Sequence, residues 1–424
     1  MTDKGTTSRR TILKGAGLAG TTSLVALAGC TGGGGGNGGT LEVLHGWTGG
    51  DGADAADALF SAFEEEHSDI EFDEEPIGGG GNESLDQTVA NRLQGGDPPS
   101  SFAGWPGSNL EQYEGVLGDI ESEVWDEADL KDAHVEEAVE LCEYDGAFSA
   151  VPIGSHRLND LFYNVSVVED AGVDPDSIDS VDALVDALDA VESETDATPM
   201  GFALEPWSIL QTWAQTMLSV NGYDAYMSFI EGDGDEEAVR STFEALEEIL
   251  DNYINDDATD VDFTEINQEF MDEGVAFVHE GNWSAGAYIT EEYEYGEEWD
   301  AIRFPGTEDL YTLHIDSFIY PGDNPTPDES AQWLRFVGSE EAQVAFNQYK
   351  GSIPTLKDVS TDEFNQYLVD TIEDFNEASE KPPTLAHGLA VEQGIQSDLE
   401  GALNDHFADP FDVDAATDGF MNAF

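Results

Sequence analysis

Three tryptophans stand where a chain can aim a ring outward. Trp47 ends the alternating apolar run Leu41-Glu42-Val43-Leu44-His45-Gly46. Trp207 follows Glu205-Pro206, and Trp283 closes Gly281-Asn282-Trp283 after the apolar run Val275 to Val278. Ligands of open α/β sheets sit beyond the carboxyl ends of strands, and an indole there offers a flat apolar face. The chemistry implied is non-covalent binding. Trp213 and Trp333 lie inside helical stripes, as core residues do, while Trp125 and Trp299 fall in acidic stretches that the pattern does not place.

Cations are the second signal. The chain carries 13 Lys and Arg against 92 Asp and Glu, a formal charge of −79. Against that background Arg157, directly after His156, and Lys350, opening Lys-Gly-Ser-Ile-Pro, are conspicuous. A guanidinium fork can hydrogen-bond two adjacent ligand oxygens, although the large pool of carboxylates makes an ion pair the competing role. Catalytic motifs are missing. With so many acids, a glycosidase pair about 5–9 Å apart could be found anywhere in the sequence and means nothing. Gly281-Asn282-Trp283-Ser284-Ala285-Gly286 lacks the glycine two before the serine that a nucleophile elbow needs. There is no His-Glu-x-x-His, Cys-x-x-Cys or P-loop. The acidic run Glu231 to Glu236 lacks the glycine at the sixth position and has Thr242 at the twelfth, so no calcium loop is expected. No metal, cofactor or enzymatic activity is expected.

The elements that must position these residues follow from periodicity. Ala55, Ala58, Leu59, Ala62 and Phe63 recur at helical spacing after Trp47, making a strand–turn–helix unit. Leu85, Val89 and Leu93 mark a second helix. Val181, Leu184, Val185, Leu188 and Val191 mark another, with Ser180 as its cap, and Val239, Phe243, Leu246 and Leu250 a further one. Thr326-Pro327-Asp328-Glu329 reads as a capping box with proline at the first helical position. Short strands alternating with helices predict parallel α/β layers, and 424 residues are too many for one ordinary domain. A hydrophobic fraction of 40% with 22 Phe and 8 Trp means a packed core under the acidic surface. That surface excludes nucleic acid as a partner. It suits molar salt, where the Debye length of roughly 3 Å silences self-repulsion.

Residues 1–29 read as a targeting segment. Ser8-Arg9-Arg10-Thr11-Ile12-Leu13-Lys14 resembles a twin-arginine export signal, and Leu27-Ala28-Gly29-Cys30 resembles a lipobox, with cleavage before Cys30 and lipid attached to it. Four of the 13 basic residues lie in this segment, so its removal leaves the chain more acidic still. The glycine-rich stretch 30–39 is expected to be a flexible tether. Cys142 reads as a free, small core residue. Asn82, Asn164 and Asn282 open glycosylation sequons.

Nine short segments, in order, resemble the sugar-binding lipoproteins of ABC importers, the solute-binding family that includes maltose-binding protein, and within it the glucose/mannose type. They are Leu-Glu-Val-Leu-His-Gly-Trp-Thr from 41, Gly-Gly-Asp-Pro-Pro-Ser from 95, Ala-Val-Pro-Ile-Gly-Ser-His-Arg-Leu-Asn from 150, Glu-Pro-Trp from 205, Glu-Gly-Asn-Trp from 280, Phe-Pro-Gly-Thr from 304, Asp-Ser-Phe from 316, Lys-Gly-Ser-Ile-Pro from 350 and Ala-His-Gly from 386. The composition is similar to that of haloarchaeal relatives. The resemblance implies a two-lobed α/β fold that closes on its ligand, with crossing hinge strands. Lobe 1 would span about 40–157 and 305–336, and lobe 2 would span 158–304 and 337–424. It implies a glucose-like monosaccharide ligand, with a longer sugar or another solute as the alternative. A secreted glycosidase or a structural surface protein is the remoter rival. The partners it implies are a membrane permease and a separate ATPase, with the chain monomeric and lipid-anchored on the outer face of the cell membrane.

Pyranose rings pack their C–H faces on aromatics and need hydrogen bonds for their hydroxyls. The implied ligand set is therefore Trp47, Trp207 and Trp283 as platforms, with Asp51, His156, Arg157, Asp316, Lys350 and His387 as polar partners. Trp105 stands where the family tends to carry a polar residue. It is either a fourth platform or a change of subsite.

Overall fold

A computed structural model of the protein describes residues 39–49, 52–78 and 82–424. The expected signal, Cys30, all of the tether but Gly39, and Asp51 lie outside them.

Two sheets carry the architecture. The first orders its strands Phe72–Pro76, Leu41–His45, Ser101–Gly104, Leu313–Ile319 and Ala150–Arg157. The second orders Trp299–Arg303, Asp160–Asn164, Val275–Glu280 and Thr198–Gly201. Helices cover both, giving the two-lobed α/β fold. The parallel layers expected from the alternation hold for Leu41–His45 with both its neighbours and for Thr198–Gly201 with Val275–Glu280. Elsewhere the pairing is antiparallel, which corrects that expectation. The chain leaves the first sheet along Ala150–Arg157, enters the second at Asp160, and returns from Trp299–Arg303 into Leu313–Ile319. An outgoing strand and a returning strand laid side by side must run antiparallel, and these two pair from Leu313↔Arg157 to Ile319↔Ala150.

Local sequence explains most elements. Leu41, Val43 and Leu44 are buried because their strand sits inside the sheet with both faces covered. The helix Ala53–Glu66 buries Ala55, Ala56, Leu59, Phe60 and Phe63. Its face is rotated from the predicted one, with Ala58 and Ala62 only partly covered. Phe60 sets that rotation: it stacks on Trp333 at 5.5 Å, next to Phe318 and His45. Trp333 is the centre of this core, and Trp213 holds the equivalent place against Phe229, Phe243 and Phe420 in the other. Trp125 and Trp299 are buried too, each giving its indole N–H to a backbone carbonyl. Ser180 caps its helix as expected, accepting from the Ala183 amide.

The capping box at Thr326 does not form. Proline takes the first helical position, but the Thr326 hydroxyl lies 2.6 Å from that of Ser100, tying the helix Pro327–Val337 to the sheet. A capping box exists instead at Asp262, with Glu265 reaching back to the cap amide.

Two irregularities shape the cleft side. The register of the crossing strands slips between Asp316 and Ser317, a bulge of the kind that re-aims a side chain. The helix Glu340–Lys350 packs on Ala53–Glu66 and ends at Gly351, whose φ of +81° favours glycine. A Cβ there would also lie 2.2 Å from the Asn282 carbonyl oxygen. From that tight turn the chain bonds to the crossing strand through Ser155 and Ile353, at 2.7 and 2.9 Å. No helix among the described residues is long and apolar enough to cross a membrane.

Candidate ligand-binding site

Strand ends and turns from both sheets converge on a cavity of about 360 Å³. Eight of the ten expected ligand residues line it: Trp47, Trp105, His156, Trp207, Trp283, Asp316, Lys350 and His387. Asp51 lies outside the described residues. Arg157 is turned away from the cavity. Side chains alternate along a strand, so with His156 facing the cavity its neighbour must face the other way. Arg157 is buried there against Asp160 at 2.9 Å and Asp374 at 2.7 Å, both also paired with Arg303. The competing role of ion-pair partner is the one its geometry fits.

The cavity wall contains a closed circuit of rings. Trp105 meets His314 at 5.3 Å, His314 meets His156 at 5.9 Å, and His156 meets Trp283 at 5.5 Å. Trp283 meets His387 at 5.4 Å and His387 returns to Trp105 at 5.2 Å. Trp207 leans on this circuit through Trp283 and His387. Trp47 stands apart, on the core rings Phe318 and Phe346. Two of these tryptophans are anchored by hydrogen bonds: the Trp283 N–H donates to Glu280, and the Trp47 backbone amide donates to His45.

Asp316 is the charged centre. His156 Nε2 lies 3.1 Å from one carboxylate oxygen and His314 Nε2 lies 3.6 Å from the other. Burial alone would raise this carboxyl, but the hydrogen bonds and charges of the two imidazoles outweigh it and hold it well below the usual range. Among the described residues only Asp160, Glu280 and Asp316 are buried acids. His156 also bridges the sheets, its Nδ1 being 2.6 Å from Asn282 Oδ1. Sequence reasoning missed His314. The signal was present, since His314 stands two residues before Asp316 on the same strand and so shares its face. Thr48, Asp262 and Gln268 are further polar lining residues that it did not single out.

The sequons have other work. Asn82 lines the cavity, and Asn282 is buried. Asn164 caps a helix, accepting from the Val167 amide while its own amide donates to Phe270 and Tyr293. Cys142 is buried and free, as expected, and burial pushes its thiol up.

Buried imidazoles make the fold acid-sensitive. Burial pushes His134 and His279 down to about 4, and it lowers His45, His314 and His387 as well. For His387 the neighbouring His314 and His156 add to that effect. The unfolded chain therefore takes up protons near pH 6.5 while the folded chain resists until much lower, so stability falls as pH drops through that window. Asp316 acts in the same direction only below its ordinary 3.8. At constant molar salt, the melting temperature is expected to be flat above about pH 7 and to fall by several degrees between pH 6.5 and 4. Thermal melts across that range check this, and a flat profile would contradict the neutral burial of these rings.

Comparison with known proteins places this geometry. The family model described as bacterial extracellular solute-binding protein matches residues 58–369. The xylose/arabinose-binding protein XacG of Haloferax volcanii is 45% identical over 367 residues, covering 86% of this chain and 80% of that protein. An uncharacterised ABC transporter extracellular-binding protein of Pyrococcus horikoshii is 28% identical, covering 86% and 82%. Among solved structures, the bacterial solute receptor AcbH, described as exclusively preferring β-D-galactopyranose, superposes with a TM-score of 0.80 at 17% identity, covering 91% of this chain and 98% of that one. That last likeness speaks to the fold.

Proposed function

The chain belongs to the bacterial extracellular solute-binding protein family, and we propose that it is a lipid-anchored receptor that captures an aldopentose for an ABC importer. Its place outside the cell, its role as a receptor rather than an enzyme, and a sugar ligand delivered to a permease go with that family and its sugar-binding relatives. The finer reading is ours. Glucose, the ligand expected from the sequence, gives way to a pentose, because the relative sharing 45% of its residues is named for xylose and arabinose.

The observation that carries the reading is the combination of the ring circuit with the ionised, buried Asp316. The rings offer faces to sugar C–H groups, and the carboxylate oxygens keep lone pairs for hydroxyls beyond those used by the two histidines. Trp47, Trp207 and Trp283 are the platforms, and Lys350 and His387 complete the polar set. Arg157 is left out of the ligand set and given a structural role at the crossing.

In this reading the first lobe takes 40–157 and 305–336 with the helix Glu340–Lys350, and the second takes the remainder. The core clusters support that division: Phe346 packs with Phe63 and Trp333, whereas Phe420 and Leu403 pack with Trp213. Sugar favours the closed state because only then do both lobes touch it. Lipid on Cys30 and the glycine tether would hold the receptor beside its permease.

Titration calorimetry of residues 40–424 in about 2–3 M KCl, with xylose, arabinose, glucose, galactose and maltose, tests the reading. One-to-one binding of a pentose is expected. Binding of maltose alone would point to a longer cleft, and hydrolysis of any sugar would revive an enzyme.

A further inference from the structure

Trp105 is set between the His314 and His387 imidazoles, as Trp283 is between His156 and His387, whereas Trp47 rests on core phenylalanines and Trp207 on Phe263. The aim of Trp105 is fixed by the returning strand. Ser317 pairs with Gly104 in antiparallel register, and its hydroxyl donates to the Gly104 carbonyl at 2.8 Å. Trp105 directly follows the strand Ser101–Gly104 and Asp316 directly precedes Ser317, and both side chains line the cavity. His314 completes the corner, touching the Trp105 ring on one side and Asp316 on the other.

The consequence is chemical. A sugar that donates a hydroxyl to Asp316 lies beside His314, and so next to the indole that His314 packs on. An indole face takes C–H groups and accepts no hydroxyl; its single polar group is the ring N–H. A pentopyranose has a bare methylene at the carbon where a hexopyranose carries its hydroxymethyl arm. That arm would need both volume and hydrogen bonds in the corner that the indole fills.

We propose that Trp105 is the specificity-determining wall of the cavity, packing against the methylene end of a pentopyranose and excluding the hydroxymethyl group of hexoses. This rests on the aldopentose reading above and deepens it, naming the side chain that sets ring substitution.

The test is calorimetry of the wild type, Trp105→Asn and Trp105→Phe with xylose, arabinose, glucose and galactose in molar KCl, with thermal melts to establish folding. The wild type is expected to prefer a pentose. In Trp105→Asn the ratio of hexose to pentose affinity should rise at least about tenfold, the low end of what a methylene-sized difference in a pocket is worth, and in Trp105→Phe it should rise by less. If Trp105→Asn does not fold, the phenylalanine variant alone still reads the direction. Equal losses for every sugar would make Trp105 a stacking platform and overturn the proposal, as would an unchanged ratio. A wild type that binds no pentose would instead defeat the aldopentose reading itself.

Discussion

Asp316→Asn is expected to weaken sugar binding by about 10–100-fold, the size of a lost hydrogen bond to a charged group. The amide keeps the shape of the carboxylate but has one acceptor oxygen in place of two. Both His156 and His314 face that side chain through Nε2, so one of them would meet an N–H instead of an acceptor. The ligand hydroxyl would lose a charged partner at the same time. Some stability should go too: the carboxyl is depressed in the fold, so its ionised form favours the folded state at neutral pH. Calorimetry and a thermal melt on the same sample separate the two effects. Affinity equal to that of the wild type would remove Asp316 from the centre of the site.

The same residue shows what the sequence could and could not reveal. Nothing in composition separates Asp316 from 91 other acids, since a carboxylate's burial depends on partners brought from 160 residues away, as His156 is. Its selection came from the order of short segments that resemble a family. Trp47 was different: strand alternation, a glycine turn and a helical stripe placed it without any resemblance. Arg157 turns on where a strand ends: the strand runs on through Arg157, and adjacent residues of one strand face opposite ways. Thr326 shows the limit of local pattern. Its capping signature is complete, yet a long-range contact with Ser100 takes the hydroxyl. The antiparallel crossing was likewise illegible in helix and strand periods, which carry no direction. Which sugar is taken was beyond the sequence pattern as well, since motifs name the polar groups and leave their arrangement open.

Withdrawal of salt is expected to have the largest effect on stability. A formal charge of −79 sits on a chain whose described acids are, apart from three, at least partly exposed. At molar ionic strength each surface charge feels little beyond roughly 3 Å, but at 10 mM the range is about 30 Å and the whole surface repels itself. Ion pairs offset little of this, because so few cations exist, and two of them, Arg157 and Arg303, are committed to Asp160 and Asp374 at the crossing. The melting temperature is expected to fall by more than about 20 °C between 3 M and 10 mM KCl, with recovery when salt is restored. Circular dichroism melts measure it directly. Equal melting temperatures at the two salts would mean that the acidic surface is not an adaptation to brine.

The most direct single test of the account is a calorimetric titration of xylose and arabinose into residues 40–424 at about 3 M KCl. Saturable one-to-one binding of at least one of them, tighter than that of glucose, is the predicted result. Silence from both pentoses beside clear binding of glucose or maltose would contradict it.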